Sequence, residues 1–194
     1  MLPTYDKSKR KKTFEALPKG AYVIKIMNAE EKSTKNNNGS YLEISFDIAE
    51  GDYTGFYEKQ YRANQNEDKR WSFDAVYRLT IPNDNSQQFI WDNWNTFFAD
   101  LEDSNNGFVF AGDVKSLRNK LIGGKFHIEQ SQYNGNIYSH TRMKWTCVAD
   151  DVRNGNPGRM PEDKMISVDL SPKPSPDGFL AIPEGVTDDE LPFG

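Results

Sequence analysis

Two alternating runs joined through an Asn-Gly pair constrain this chain more than any other feature. "KFHIEQSQY" and "IYSHTRMKWTCV" each follow period two, and the "NGN" between them, Asn134 to Asn136, supplies residues that tolerate positive φ. Such a pair closes as an antiparallel hairpin. On its second strand Met143, Trp145 and Cys147 are expected on one face, and Tyr138, His140, Arg142 and Lys144 on the other, which is cationic and carries a ring.

Earlier segments supply partners for that hairpin. In "GAYVIKIM" Tyr22, Ile24 and Ile26 alternate with Val23, Lys25 and Met27, and after "NNNGS" the apolar set Leu42, Ile44, Phe46, Ile48 alternates with Tyr41, Glu43, Ser45, Asp47. These read as two antiparallel strands. "EGDYTG" reads as a tight turn, and "FYEKQYR" as a third strand with Phe56 on one side and Tyr57, Lys59, Tyr61 on the other. "RWSFDAVYRLTIP" fits period two but also a helix, with a lean towards strand.

Helical spacing takes over next. Ile90, Trp94, Phe97, Phe98 and Leu101 predict a helix capped by Asn85 or Ser86 and stopped before Gly107. A second short helix, with Val114, Leu117 and Leu121 on one side, is expected between Asp113 and Gly123-Gly124. Three meander strands, a helical insertion and a hairpin give the expected class: mainly β, an OB-fold-like five-stranded barrel with its helical insertion between strands 3 and 4. Other small β-barrels share that strand count.

The flanks differ from this body. "KSKRKK", Lys7 to Lys12, lies in a basic leader, residues 1–17, that reads first as a solvated segment, then as a phosphate-contacting arm, and last as a nuclear import signal. Seven of the ten prolines fall in the last 44 residues, where apolar area is too small to offset ordering entropy. The expected division is therefore leader 1–17, binding domain 18–150, an extension 151–169 that could dock on the body, and a disordered acidic tail 170–194. Residues 1–150 hold 20 Lys+Arg against 20 Asp+Glu, so the net charge of −5 belongs entirely to residues 151–194. An acidic pI then says nothing against a body that meets phosphates.

Catalytic constellations are missing from the sequence. It has no Gly-rich phosphate loop, no histidine pair at metal spacing and no nucleophile motif around a serine or around Cys147, so no enzyme activity, cofactor or metal is expected. The clusters Glu30-Glu31 and Asp100, Glu102, Asp103 read as solvated faces rather than magnesium ligands. No apolar run reaches membrane length and no secretion signal opens the chain, which points to a cytoplasmic setting without a membrane partner. The lone Cys147 reads as a small buried hydrophobe.

Aromatic residues interleaved with cations give the positive signal. Tyr57, Lys59, Tyr61 and Arg62 on one segment, Tyr138, Arg142 and Lys144 on another, Trp71 and Arg78 between them and Lys25 ahead of them offer ring planes for unstacked bases and charge for phosphates. Amphipathic strand residues half covered by loops would give the same pattern. The C-terminal "DDELPFG" adds a partner signal: Leu191, Pro192 and Phe193 can enter a shallow pocket while Asp188, Asp189 and Glu190 meet its basic rim.

That tip resembles the C-terminal tip of bacterial and phage single-stranded DNA-binding proteins, which recruits replication, recombination and repair proteins. It departs in Gly194, which comes after the phenylalanine whose own carboxylate the bacterial pattern uses. The stretches "LPKGAYVIKIMNAEEKSTKNNNGSYLEISFDIAEGDYTGFY", "FDAVYR", "FFADLEDSNNGFVF" and "LIGGKFHIEQSQYNGNIYSHTRMKWTCVADDVRNG" resemble a family of small phage-encoded proteins regarded as single-stranded DNA-binding, from about residue 17 to 165. The resemblance implies an OB-fold, sequence-tolerant binding of single strands and a phage replication or recombination role in the host cytoplasm; a homo-oligomer is left open by the sequence. The rival expectation is a protein-protein adaptor with a solubilising tail, and a magnesium-dependent nuclease is a third.

Overall fold

The computed structural model describes residues 15–36 and 39–166. β1 (Gly20–Ser33) and β2 (Ser40–Ile48) form the first antiparallel pair, and Leu42, Ile44, Phe46 and Ile48 all point inward as their alternation requires. β3 (Val76–Thr80) adds to the free side of β2, while β4 (Leu121–Tyr133) and β5 (Asn136–Cys147) close as the expected hairpin across Asn134 and Gly135, both at positive φ. The result is one antiparallel sheet in the order β3-β2-β1-β4-β5, with β1 at its centre.

One strand of the expected meander is a helix instead. Residues Phe56–Ala63 form α1, so Tyr57, Lys59 and Tyr61 do not share a strand face. Gly55 turns the chain at φ 69°, and the buried Asp47 carboxylate of β2 accepts hydrogen bonds from the backbone N–H of Tyr57 (2.9 Å) and Glu58 (3.0 Å), as well as from Ile48. A side chain from another element therefore satisfies the first-turn donors that an N-cap residue normally serves. The third strand comes from 76–80, after a 3-10 turn at Phe73–Ala75. Strand number and the helical insertion between the third and fourth strands survive that exchange.

α2 (Gln88–Asp103) fills the insertion and buries Phe97, Phe98 and Leu101. Its N-cap is Gln87 without a side-chain bond, rather than Asn85 or Ser86, and it ends at Ser104, ahead of Gly107. The expected second helix shrinks to a 3-10 turn, Val114–Leu117, capped by Asp113, and Leu121 opens β4. Gly123 and Gly124 lie inside that strand for want of space: a Cβ on Gly123 would sit 2.7 Å from Cys147 Sγ, and one on Gly124 2.6 Å from Met143 Sδ.

A β-bulge alters the expected faces of β5. Phe126 pairs with Met143 and Lys125 with Trp145, leaving Lys144 as the extra residue. Met143 joins the core, Trp145 is 37% exposed, and Cys147 packs opposite Gly123 beneath α3 (Ala149–Arg153). Burial pushes the Cys147 thiol up to about 11.

Both chain ends of the described body dock on the sheet. Leu17, placed in the leader by the sequence, is buried in the core, and its carbonyl accepts from Thr141 Oγ1 of β5. Beyond α3 the chain returns to β4, where Lys164 exchanges backbone hydrogen bonds with Ile128 and Gln130, and His127 Nδ1 meets the Glu162 carbonyl at 2.8 Å. Among the described residues no helix is long and apolar enough to cross a membrane.

Candidate nucleic-acid interface

β3 and β5 form the two edges of the sheet, and side chains span the gap between them. Ser72 accepts a hydrogen bond from the Asp74 N–H, forming the turn that carries Phe73. Phe73 is 54% exposed, with the guanidinium of Arg78 (β3) 5.3 Å from its ring centre and that of Arg142 (β5) 4.5 Å away. Two cations from opposite edges thus hold one exposed ring.

Carboxylates fix those guanidinium groups. Arg78 pairs with Glu43 at 3.0 Å, and Arg142 donates to Asp74 at 3.4 Å and to Glu129 at 3.2 Å. Lys32 and Arg78 beside Glu43 hold its carboxyl below the usual value, and Lys164 with Arg142 does the same for Glu129. Carboxylates therefore orient both arginines towards the ring, although Glu43 is shared between Arg78 and Lys32 and Glu129 between Arg142 and Lys164.

A groove of about 350 Å³ runs from Phe73 past Val76, Tyr77 and Arg142 to Lys144 and Trp145. Lys144 is exposed and makes no ion pair among the described residues. The bulge puts both it and Trp145 at the surface. Two planes, two oriented arginines and one open cation therefore line a single channel.

Other sequence-predicted residues lie elsewhere. Tyr57 is only 3% exposed and belongs to the core. Lys59 donates to the Thr54 carbonyl and Arg62 pairs with Glu58 on α1. Lys25 borders a different cleft, beside Asp47, Glu50 and Glu58. Tyr61 and Trp71 pack on each other at 5.8 Å with Lys69 over Tyr61, and Trp71 Nε1 donates to the Phe46 carbonyl, so both rings are half-buried. Tyr138, 46% exposed, lies on the β4–β5 hairpin with the more exposed Tyr133 diagonal to it.

The acidic clusters make structural contacts. Thr146 donates to Asp100, and Glu102 accepts from the Phe110 N–H. Among the described residues no three His, Cys, Asp or Glu side chains converge as a metal-binding group. The acidic tail 170–194 with its terminal motif Asp188, Asp189, Glu190, Leu191, Pro192, Phe193, and the basic run Lys7 to Lys12, lie outside the described residues.

Phe73 and Trp145 escaped the sequence reading. The Ser72-x-Asp74 spacing, a local turn signal, could have marked Phe73 as a ring on a bend. Nothing local marks Trp145, because the bulge is visible only in the pairing with β4.

Residues 3–85 match the family model DUF669, described as a protein of unknown function. No curated protein matches the chain. The DUF669 span carries β1, β2, α1 and β3, and with them Phe73 and Arg78, while Arg142, Lys144 and Trp145 lie beyond it.

Proposed function

We propose that this protein is a non-sequence-specific, single-stranded DNA-binding protein built on an OB-fold. The carrying observation is the exposed Phe73 ring held between Arg78 and Arg142, in one groove with Trp145 and Lys144. Base-aromatic stacking tolerates any base and is worth about 1–3 kcal/mol per base, so two rings and a few phosphate contacts are sufficient for useful affinity. A strand order with β1 central and a helix between the third and fourth strands agrees with an OB-fold, whose second and third strands and hairpin loops bind single strands. Tyr41 beneath Arg78, and Tyr133 and Tyr138 on the β4–β5 hairpin, would continue that surface.

The wider role rests on the resemblance in the sequence: phage replication or recombination in the host cytoplasm, with the C-terminal tip recruiting partner proteins. Titrating labelled oligo-dT at low salt tests the core of the proposal. Wild type should bind with quenching of tryptophan fluorescence, and Phe73→Ala should weaken binding by about 1–3 kcal/mol without a comparable loss of stability. Absence of binding by the wild type, or unchanged affinity in Phe73→Ala, sinks it.

One observation favours an adaptor instead. Tyr133, Ile137 and Tyr138 leave apolar surface exposed at the hairpin end. That reading requires salt-insensitive protein capture through the hairpin, lost in Tyr138→Ala, with no effect of the same change on oligonucleotide binding.

A further inference from the structure

The positive charge of the chain is concentrated ahead of the folded body. Residues 1–14 hold five Lys+Arg against one Asp+Glu, while residues 15–150 hold 15 against 19. Without its leader the body is therefore net acidic, and a net acidic surface does not attract a polyanion. Within the groove Glu43, Asp74 and Glu129 stand against Arg78 and Arg142, and Lys144 is the exposed cation at its edge. Stacking on Phe73 and Trp145 thus works against an unfavourable field unless cations arrive from elsewhere in the chain.

The point at which the leader joins the body is fixed. Leu17 is buried in the core, and its carbonyl accepts from Thr141 Oγ1 of β5. The Pro18 carbonyl accepts from the Tyr22 hydroxyl at 2.9 Å, and the Glu15 carbonyl from Gln60 Nε2 of α1 at 3.2 Å. Residues 15–17 line a cleft of about 230 Å³ together with Ser72, Asp74 and Thr141. Ser72 and Asp74 are the residues on either side of Phe73, and Thr141 directly precedes Arg142. An extended chain advances about 3.3–3.6 Å per residue, so Lys12 stays within about 11 Å of Glu15 and Lys7 within about 29 Å.

We infer that Lys7, Lys9, Arg10, Lys11 and Lys12 form a phosphate-contacting arm that closes on the backbone of a strand stacked on Phe73 and Trp145. The inference rests on the nucleic-acid reading of the groove and deepens it: the groove supplies planes and the leader supplies charge. Attachment beside Phe73 keeps the run at a local concentration in the millimolar range around the stacked strand. Phosphate contacts carry no sequence information, in keeping with binding that tolerates any base. The shallow salt dependence of the groove itself is what remains when the run is neutralised, and the whole chain is steeper by the share of the leader.

The test uses the full chain and fluorescence anisotropy with oligo-dT of about 30 nucleotides over a salt series. The variant carries Lys7→Gln, Lys9→Gln, Arg10→Gln, Lys11→Gln and Lys12→Gln together. About three to five phosphate contacts, at about −0.7 each, make the wild-type slope of log affinity against log salt steeper by about 2–3.5. Between about 50 and 200 mM salt the wild type should then lose about 16- to 130-fold more affinity than the variant. Phe73→Ala should weaken both backgrounds by the same factor. Exchanging the five cations for one another, Lys to Arg and Arg10→Lys, should keep the wild-type slope and separates charge from any packing role of the run. A synthetic peptide of residues 1–14, added to the glutamine variant at an equal micromolar concentration, should not restore the slope, because the tether is missing. Equal slopes in wild type and glutamine variant overturn the inference and leave the run a solvated segment. Restoration by the free peptide overturns the anchored arm. Failure of the wild type to bind any oligonucleotide overturns the underlying reading of the groove instead.

Discussion

Asp47 shows how one side chain can decide the identity of a distant segment. In the alternation of β2 it occupies a polar position, yet it is buried and its carboxylate serves three backbone N–H groups, at 2.8, 2.9 and 3.0 Å. Two of them open α1. Replacing Asp47 with alanine leaves those donors without partners in a dry site, and about 2–4 kcal/mol of stability should be lost, measurable as a lower urea midpoint. Asp47→Asn, which keeps one acceptor oxygen, should recover part of it. If Asp47→Ala unfolds at the wild-type midpoint, water serves the helix start equally well and the carboxylate is not its cap. Phe73 is the opposite case, an exposed ring that, on the function proposed above, serves what can stack on it.

At the level of elements, the tight approach of β4 to β5 and α3 is the most demanding contact. Gly123 faces the Cys147 carbonyl, 2.9 Å from where a Cβ would stand, and Val152 at the same distance. Backbone cannot yield as a flexible side chain can. Gly123→Ala should therefore cost about 1–3 kcal/mol in denaturant titration. Gly124→Ala, opposed mainly by the pliable Met143, should cost less. The same elements show what was legible beforehand. The β1–β2 alternation, the Asn134-Gly135 hairpin and the inward stripe of α2 are written locally, as period two, turn chemistry and helical spacing, and each forms as expected. What escaped depends on distant partners: α1 on Asp47, the two glycines on Cys147 and Met143, and the faces of β5 on a bulge defined by pairing. For α1 one local clue existed, the Glu58 to Arg62 spacing that closes as an ion pair at 2.6 Å. The candidate site suffered most, because a groove between two sheet edges joins residues far apart in sequence.

For the whole molecule, the proposed function makes charge distribution the determinant of how binding should respond to salt. Residues 1–150 are balanced at 20 Lys+Arg against 20 Asp+Glu, and within the groove Arg78 and Arg142 are already shared with Glu43, Asp74 and Glu129. Lys144 is the groove cation left open to a phosphate. Each phosphate contact on a single strand contributes about −0.7 to the slope of log affinity against log salt. A protein that relied on bare charge would show a steep slope; this groove should show a shallow one, with most of its affinity surviving at moderate salt through Phe73 and Trp145. Lys144→Ala should lower the magnitude of that slope by about 0.7 with little change in melting temperature, whereas Phe73→Ala should weaken binding by a similar factor at every salt concentration and leave the slope alone. The two variants separate electrostatic from stacking contributions in a single titration series. A slope that falls in Phe73→Ala, or does not move in Lys144→Ala, would place the phosphates elsewhere on the surface and remove the groove from the binding path.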